Sequence, residues 1–138
     1  MAAPQNYKNH TRMDPPFHYF LIPLALLCFI ASIMHVVKQP TPPNVLLVPV
    51  TFALLFGCLM IRRNSLAVQN RVIRLEEQIR LRSLGVDPAG LTTKQFVALR
   101  FASDNEVVAL AVRAKAEHLT SKQIKEAIVT WRPDYERV

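Results

Sequence analysis

Apolar residues cluster in two long runs in the first half of the chain. The first run, residues 17–37, holds 21 residues without a charge; the second is uncharged over residues 45–61, and the span predicted from it covers residues 45–62. At about 1.5 Å per residue the first run spans roughly 31 Å, which matches the hydrocarbon core of a bilayer. Residues 38–44 between the runs contain three prolines, which cannot continue a helix. The pattern predicts a two-span transmembrane helical hairpin with a short extracytoplasmic loop, in which Asn44 caps the second span.

A helical pattern without a breaker follows at residues 63–84, so we expect the second span to continue into a long, basic, amphipathic cytoplasmic helix. Within it, Glu76 is expected to pair with Arg80, and the Glu76-Glu77 pair to form a solvated surface. Apolar residues also recur at spacings of 4, 3 and 4, as in a coiled coil. This seam suits a partner surface and equally suits packing against the C-terminal helices; it comprises Val68, Val72, Leu75 and Ile79.

After a loop at residues 85–91, in which Gly85 is expected at the C′ position of the preceding helix, residues 92–138 predict a bundle of three short helices. Capping-box sequences begin at Thr92, Ser103 and Thr120, each before an apolar helical pattern. The predicted helices are 93–102, 104–118 and 121–131. Their inward faces are expected to carry Phe96, Leu99, Val107, Leu110, Ala111, Ala114, Ile124, Ala127, Ile128 and Trp131. The tail that follows is expected to dock back onto these helices and comprises Trp131, Arg132, Pro133, Asp134 and Tyr135.

Small or weakly polar residues recur on one face of each span, and such faces let helices approach closely in lipid. Two interpretations stay open: the two helices pack on each other through these faces, or one face packs on a partner membrane protein. The residues concerned are Ala25, Cys28, Ser32 and His35 on the first span, and Ala53 and Gly57 on the second.

The charges indicate an orientation. The net charge is +7, and no acidic residue lies between Asp14 and Glu76. The connection between the spans carries a single lysine, whereas residues 1–16 add Lys8 and Arg12, and several arginines follow the second span. Because basic residues favour the cytoplasmic side, both termini are expected in the cytoplasm. The arginines expected to contact lipid at the interface are Arg62, Arg63, Arg71 and Arg74.

Several function classes find little support in the sequence. It contains no phosphate-binding loop, no nucleophile elbow, no zinc-protease motif and no cysteine pair with metal-ligand spacing. Residues 17–37 and 45–61 contain no Asp, Glu, Lys or Arg, which argues against a transporter or channel acting alone. We therefore expect a non-catalytic protein without a cofactor or a small-molecule substrate.

Two alternative functions can each be assigned to specific residues. A membrane-tethered helix-turn-helix regulator would use Lys122, Gln123, Lys125 and Glu126, but residues 92–138 hold 8 basic and 6 acidic residues, which does not favour nucleic acid. A haem-associated subunit of an electron-transfer complex would use His18 or His35. These histidines lie roughly 25 Å apart along one helix and cannot share one iron within a chain.

The expected function is that of an accessory subunit, anchor or scaffold. Its expected partners are membrane lipid and either a larger membrane protein complex or further copies of the chain. The undersized C-terminal region and the small-residue faces favour this class, because both present surfaces that a partner would cover.

Four stretches resemble an uncharacterised bacterial family of small two-span membrane proteins, known as a domain of unknown function. The resemblance implies a bacterial inner-membrane location and the same two-span layout, and it supplies no activity. The stretches are residues 5–10 (QNYKNH), 71–77 (RVIRLEE), 99–104 (LRFASD) and two parts of 124–135, IK and WRPDY.

Overall fold

The protein is all-helical in the part of the chain that the structure, a computed structural model, describes: residues 5–7 and 13–134. These residues contain five helices and no strand, which confirms the all-α prediction. Lys8, Arg12 and Tyr135 lie outside the described residues. The helices are α1 (Ile22–Lys38), which a π-helical segment (Pro16–Leu21) precedes, α2 (Pro42–Ser83), α3 (Thr93–Leu99), α4 (Asp104–Ala116) and α5 (Ser121–Ala127).

The chain divides into two compact units. One, the hairpin, is Met13–Leu66; the other, here called the C-terminal body, joins the N-terminal residues to Ala67–Val138. The long helix α2 contributes its first part to the hairpin and its last part to the body.

The two helices of the hairpin run antiparallel. The guanidinium of Arg62 lies 5.6 Å from the ring centroid of Phe17, and the rings of Phe29 and Phe52 lie 5.6 Å apart. A position further along the first helix therefore meets a position earlier in α2. By length and composition, both Pro16–Lys38 and Pro42–Ser83 qualify as helices that could cross a membrane.

The connection between the two helices is shorter than predicted. Helix α2 begins at Pro42, because proline suits the first turn of a helix, where its missing N–H is not needed. The prediction that Asn44 is the N-cap is wrong: its side-chain amide donates to the carbonyl oxygen of Gln39 at 2.7 Å, which ties the helix start to the loop.

Helix α2 ends in a Schellman motif. The N–H of Val86 donates to the carbonyl of Leu81 at 2.9 Å, and the N–H of Gly85 donates to the carbonyl of Arg82 at 3.0 Å. Gly85 has φ +80°, which glycine adopts without the clash that a Cβ would cause. The prediction of Gly85 as the C′ residue is confirmed.

The three short helices start where the capping boxes predict. At each start the cap hydroxyl accepts from the backbone N–H three residues on, and the side chain there accepts from the cap N–H. These interactions satisfy backbone groups that the first turn leaves without helical partners. The three reciprocal pairs are Thr92 with Gln95, Ser103 with Glu106, and Thr120 with Gln123.

The same helices end earlier than predicted, and the last one shows why. Ile128 is extended, and the carboxylate of Glu106 accepts hydrogen bonds from the N–H groups of Val129 (3.1 Å) and Thr130 (3.0 Å). These N–H groups therefore bond across to the start of α4 instead of continuing α5. The placement of Trp131 on a helix is wrong, since it pairs with Ala102 in an isolated antiparallel bridge.

The core of the body forms between the short helices and one face of α2. That face carries Ile73, Glu77 and Leu81, which are 7%, 4% and 0% exposed. The seam lies elsewhere on α2 and is exposed, so the interpretation that it packs on the chain's own helices is wrong. The other members of the core are Phe96, Ala98, Leu99, Phe101, Ala102, Val107, Leu110, Ala111, Ala114, Leu119, Ile124 and Ile128.

Candidate functional site

The hairpin contains a buried hydroxyl pair. Ser32 is 2% exposed, and its Oγ lies 2.9 Å from the Oγ1 of Thr51, which is 7% exposed. Each hydroxyl also lies within hydrogen-bond distance of a carbonyl oxygen of its own helix. For Ser32 this is the carbonyl oxygen of Phe29, at 2.7 Å. Ser32 belongs to the predicted small-residue face, whereas Thr51 was not predicted, although a threonine within an apolar run is itself a signal of a polar contact between helices.

The other small-residue positions are less buried than Ser32, and most of them are exposed. Cys28, His35 and Ala53 are exposed, while Ala25 and Gly57 are half-buried. A Cβ added at Gly57 would meet nothing within 4 Å, so this glycine is not needed for close approach inside the hairpin. Packing of these residues on a partner stays a prediction.

The basic residues predicted to contact lipid have different surroundings. Arg62 is half-buried and lies over Phe17, and the guanidinium of exposed Arg63 lies 4.0 Å from the sulfur of Met60. Arg71 and Arg74 are exposed in the C-terminal body. Contact of these four arginines with lipid stays a prediction.

The C-terminal body contains a polar cleft of about 940 Å³. One wall is the face of α2 from Gln69 to Arg80, and the other is formed by Arg100, Asp104 and the tail at residues 132–134. Both basic and acidic side chains line it. The ion pairs and hydrogen bonds of these side chains therefore decide what the cleft can do.

The tail forms one side of this cleft because it is held by backbone and ring contacts. The N–H of Arg132 donates to the carbonyl of Phe101 at 2.7 Å, next to the bridge between Ala102 and Trp131. The rings of Trp131 and Phe101 lie 5.2 Å apart. Residues 131–134 thus lie against the helices, and Pro133 faces the cleft.

A buried ion pair joins the end of α3 to the tail. Arg100 is 6% exposed, and its Nε lies 3.1 Å from a carboxylate oxygen of Asp134. The guanidinium also lies 4.4 Å from the ring centroid of Phe101. Moving the tail away would leave the buried charge of Arg100 without this partner, which is costly. The pair therefore holds the tail against the end of α3.

The N-terminal stretch reaches the same place. The side-chain amide of Gln5 donates to the carbonyl of Asp134 at 3.1 Å, and the N–H of Asp134 donates back to the side-chain oxygen of Gln5 at 2.8 Å. The two residues are 129 positions apart, so no local pattern could indicate the contact. We call this pair of hydrogen bonds the terminal clamp.

Arg80 connects α2 to the start of α4. It donates to the carboxylates of Glu77 at 3.1 Å and Asp104 at 2.7 Å, and to the carbonyl of Ala102 at 2.7 Å. The expected pairing of Arg80 with Glu76 is therefore replaced by one with Glu77 and Asp104. The sequence signal was present, since Glu77 is three residues before Arg80 and such residues share a helix face.

Glu77 is a buried carboxyl group rather than part of a solvated surface, so that expectation is wrong. Burial raises the pKa of Glu77, and the charges of Arg80 and Arg132 together with the hydrogen bond from Arg80 offset only part of this effect. A carboxyl group with a raised pKa in a cleft is one feature of catalytic sites. Here Arg80, the hydrogen-bond partner of Glu77, also bonds Asp104 and the carbonyl of Ala102. This arrangement connects elements of the fold and favours a structural role for Glu77.

The four stretches singled out in the sequence therefore meet in this body. Gln5 belongs to the first, Glu77 to the second, Arg100 to the third and Asp134 to the fourth, and the contacts above join the first to the fourth and the third to the fourth. A family model for DUF6526, a family of unknown function, matches residues 1–138. The chain belongs to DUF6526. Curated proteins and solved structures gave no match.

This DUF6526 chain brings no metal-binding group together in its described part: no cluster of three or more His, Cys, Asp or Glu side chains is placed to hold an ion there. The ring nitrogen Nδ1 of His18 lies 2.9 Å from the carbonyl oxygen of Asp14. His18 and His35, the residues of the haem alternative, both lie on the first helical run, 17 positions apart.

The residues of the helix-turn-helix alternative are engaged within the same DUF6526 chain. Gln123 forms the capping box of α5, and Lys122 lies 3.8 Å from Glu126. The Nζ of Lys125 lies 5.8 Å from the ring centroid of Phe101. These contacts, and the seven-residue length of α5, count against its use as a recognition helix.

Proposed function

We propose that this chain is a non-catalytic integral membrane protein that serves as an accessory subunit, anchor or scaffold of a larger membrane complex. It would lie in the bacterial inner membrane with both termini in the cytoplasm. Its hairpin would hold it in the bilayer, and its C-terminal body would present a surface to proteins.

The outer surface of the hairpin supports the membrane location. Only 6% of the most apolar window of each long helix is buried. Large apolar side chains such as Phe20, Leu27, Leu54 and Ile61 are between 62% and 69% exposed. A surface of this kind is unfavourable in water and suits the hydrocarbon core of a bilayer.

The terminal clamp supports the two-span topology. Gln5 precedes the first apolar helix and Asp134 follows the second, yet they bond to each other in one body. A chain that crosses the bilayer twice returns to its starting side, which this contact requires. The arginines after the second span and the single lysine of the loop favour the cytoplasm as that side.

The observation that carries the accessory role is the exposed seam of α2. Its four residues are 48% to 68% exposed, although the opposite part of the same helix is packed into the core. The charged groups of the neighbouring cleft, by contrast, are paired with one another, Arg80 with Asp104 and Arg100 with Asp134. An apolar stripe beside self-paired charges suits a protein partner better than a reaction.

The test is purification of the tagged, full-length protein from membranes in a mild detergent. We expect it to stay in membranes during an alkaline carbonate wash and then to elute with a stoichiometric companion, either another copy or a different protein. The variant Ile79→Ser should lose the companion, whereas Val129→Ser, at a position 86% exposed and outside the seam, should keep it. Release by carbonate, or a wild-type monomer without a companion, would contradict the proposal.

A further inference from the structure

We propose that the seam of α2 pairs with the same seam of a second copy, forming a short, parallel, two-stranded coiled coil next to the membrane. This inference rests on the proposed membrane function and names its partner. The position of the seam, its residue types and its flanking charges support it.

The position of the seam leaves it available to a partner. Ile73, Glu77 and Leu81 are spaced four residues apart and bury one face of α2 in the body. At about 100° per residue, the seam residues lie roughly half a turn away from that face. The body can therefore remain folded while a second helix packs against the seam.

The residue types match those of a two-stranded coil. With Val72 and Ile79 at the a positions of successive heptads, Val68 and Leu75 occupy the d positions. Branching at Cβ in both a positions, with leucine at one of the two d positions, favours a parallel dimer over higher oligomers. Ile73, Glu77 and Leu81 then take b, f and c positions, which face away from the partner helix.

The flanking charges select a second copy in the parallel direction. Arg71 occupies a g position and Glu76 the next e position, and both side chains are exposed. In a parallel pair, Arg71 of each copy faces Glu76 of the other, which gives two attractive pairs by symmetry. An antiparallel pair would place e beside e and g beside g, so these opposite charges would not meet.

The proposed membrane topology requires the same direction. Two copies inserted in one bilayer with the same orientation present α2 with its N-terminal end in the membrane. Their seams are therefore parallel before they meet. Anchoring in a plane also raises the effective concentration of each seam for the other, which helps a contact as short as this one.

The first test is disulfide trapping of the full-length protein in native membranes, in a background with Cys28→Ala and Cys58→Ala. Leu75→Cys places thiols at a d position, where the two chains of a parallel coil approach within disulfide distance. We expect an oxidant to convert it to a covalent dimer. The matched control is Arg74→Cys, an exposed neighbouring position outside the seam, which should not form the covalent dimer.

The second test is the molecular mass of the detergent-solubilised protein by light scattering. The wild type should have the mass of two copies. Arg71→Glu should lower the dimer fraction, because it faces Glu76 of the other copy, and adding Glu76→Arg should restore it. Both positions are exposed, so the helical circular dichroism of the body should not change.

Three outcomes would overturn the pairing: equal trapping of both cysteine variants, no trapping of either, or a dimer that the charge reversals leave unchanged. A stoichiometric companion of different sequence, without trapping at Leu75, would show that the seam serves another partner. In that case the proposed accessory function stands. Release of the protein by carbonate would instead contradict the proposed function, while the mass measurement would still decide whether two copies pair.

Discussion

The hairpin and the C-terminal body are built from the same kind of element but place their apolar side chains in opposite ways. Leu27 in the hairpin is 64% exposed, whereas Leu81 in the body is fully buried. Hydrophobic burial within the chain can therefore stabilise the body but contributes little inside the hairpin. The body therefore carries its own core, whereas the hairpin leaves most of its apolar side chains uncovered by the chain.

The polar contacts differ in the same way. Within the hairpin, helix meets helix through the hydroxyls of Ser32 and Thr51. The body uses ion pairs that bridge distant parts of the chain, such as Arg100 with Asp134. In the membrane location proposed above, a single hydroxyl pair would contribute about 0.6 kcal/mol, and lipid or a partner would contribute most of the hairpin's stability.

The largest effect on stability is expected when the same substitution, leucine to alanine, is compared between the body and the hairpin. Leu81→Ala should destabilise the body by about 4 kcal/mol, because it removes a fully buried side chain and leaves a cavity. Leu54→Ala, at a position 62% exposed in the hairpin, should leave the unfolding of the body unchanged. Thermal unfolding followed by the fluorescence of Trp131, the one tryptophan, measures both. Equal effects would mean that the two regions unfold together.

The next prediction concerns an introduced charge, to which the hairpin should be more sensitive than the body. Leu27→Arg should oppose membrane insertion by about 3 kcal/mol, because it places a charge near the middle of the proposed first span. Val112→Arg, at a position of the body 56% exposed, should be tolerated. The fraction of protein that remains in carbonate-washed membranes gives the readout. If Leu27→Arg stays fully membrane-bound, that position does not face lipid.

A smaller effect is expected from the buried ion pair of the body. Arg100→Met keeps an apolar stem but leaves the carboxylate of Asp134, which is 24% exposed, without its cation, at a cost of about 2 kcal/mol. The matched variant is Arg113→Met, which breaks an exposed pair with Glu117 and should cost less than about 1 kcal/mol. Chemical denaturation monitored through Trp131 compares them. Similar midpoints for the two variants would show that burial adds nothing to the Arg100 pair.

Local signals made much of the fold predictable from the sequence. The capping boxes act over four residues, and Gly85 ends its helix through its own φ angle, so both are encoded where they occur. The apolar runs likewise predict two long helices, and both observed helices have the length and composition of helices that could cross a membrane. Helix ends were less predictable, since Glu106 stops α5 from a distance of more than 20 residues.

The cleft could not be assembled from the sequence, because its contacts join residues far apart. The terminal clamp links Gln5 to Asp134, and neither residue belongs to a helical pattern that would indicate a neighbour. The seam led to a wrong expectation for another reason. Its spacing is that of a packed helix face, yet the face of α2 with Ile73, Glu77 and Leu81 is the one buried. Because the carboxylate of Glu77 lies in the middle of that face, the hydropathy pattern does not indicate that the face is buried.

Glu77 provides the smallest and sharpest test of the body, through its dependence on pH. Because burial raises its pKa in the folded protein, protonated Glu77 favours folding; this contribution is complete below the ordinary glutamate pKa of about 4.3 and is lost as the pH rises through the raised value. Glu77→Gln resembles the protonated form, and Arg80 keeps Asp104 and the carbonyl of Ala102 as partners. The melting temperature of the variant should therefore equal that of the wild type near pH 4 and exceed it slightly at neutral pH. A variant that melts below the wild type at neutral pH would show that attraction to Arg80 outweighs the cost of burial.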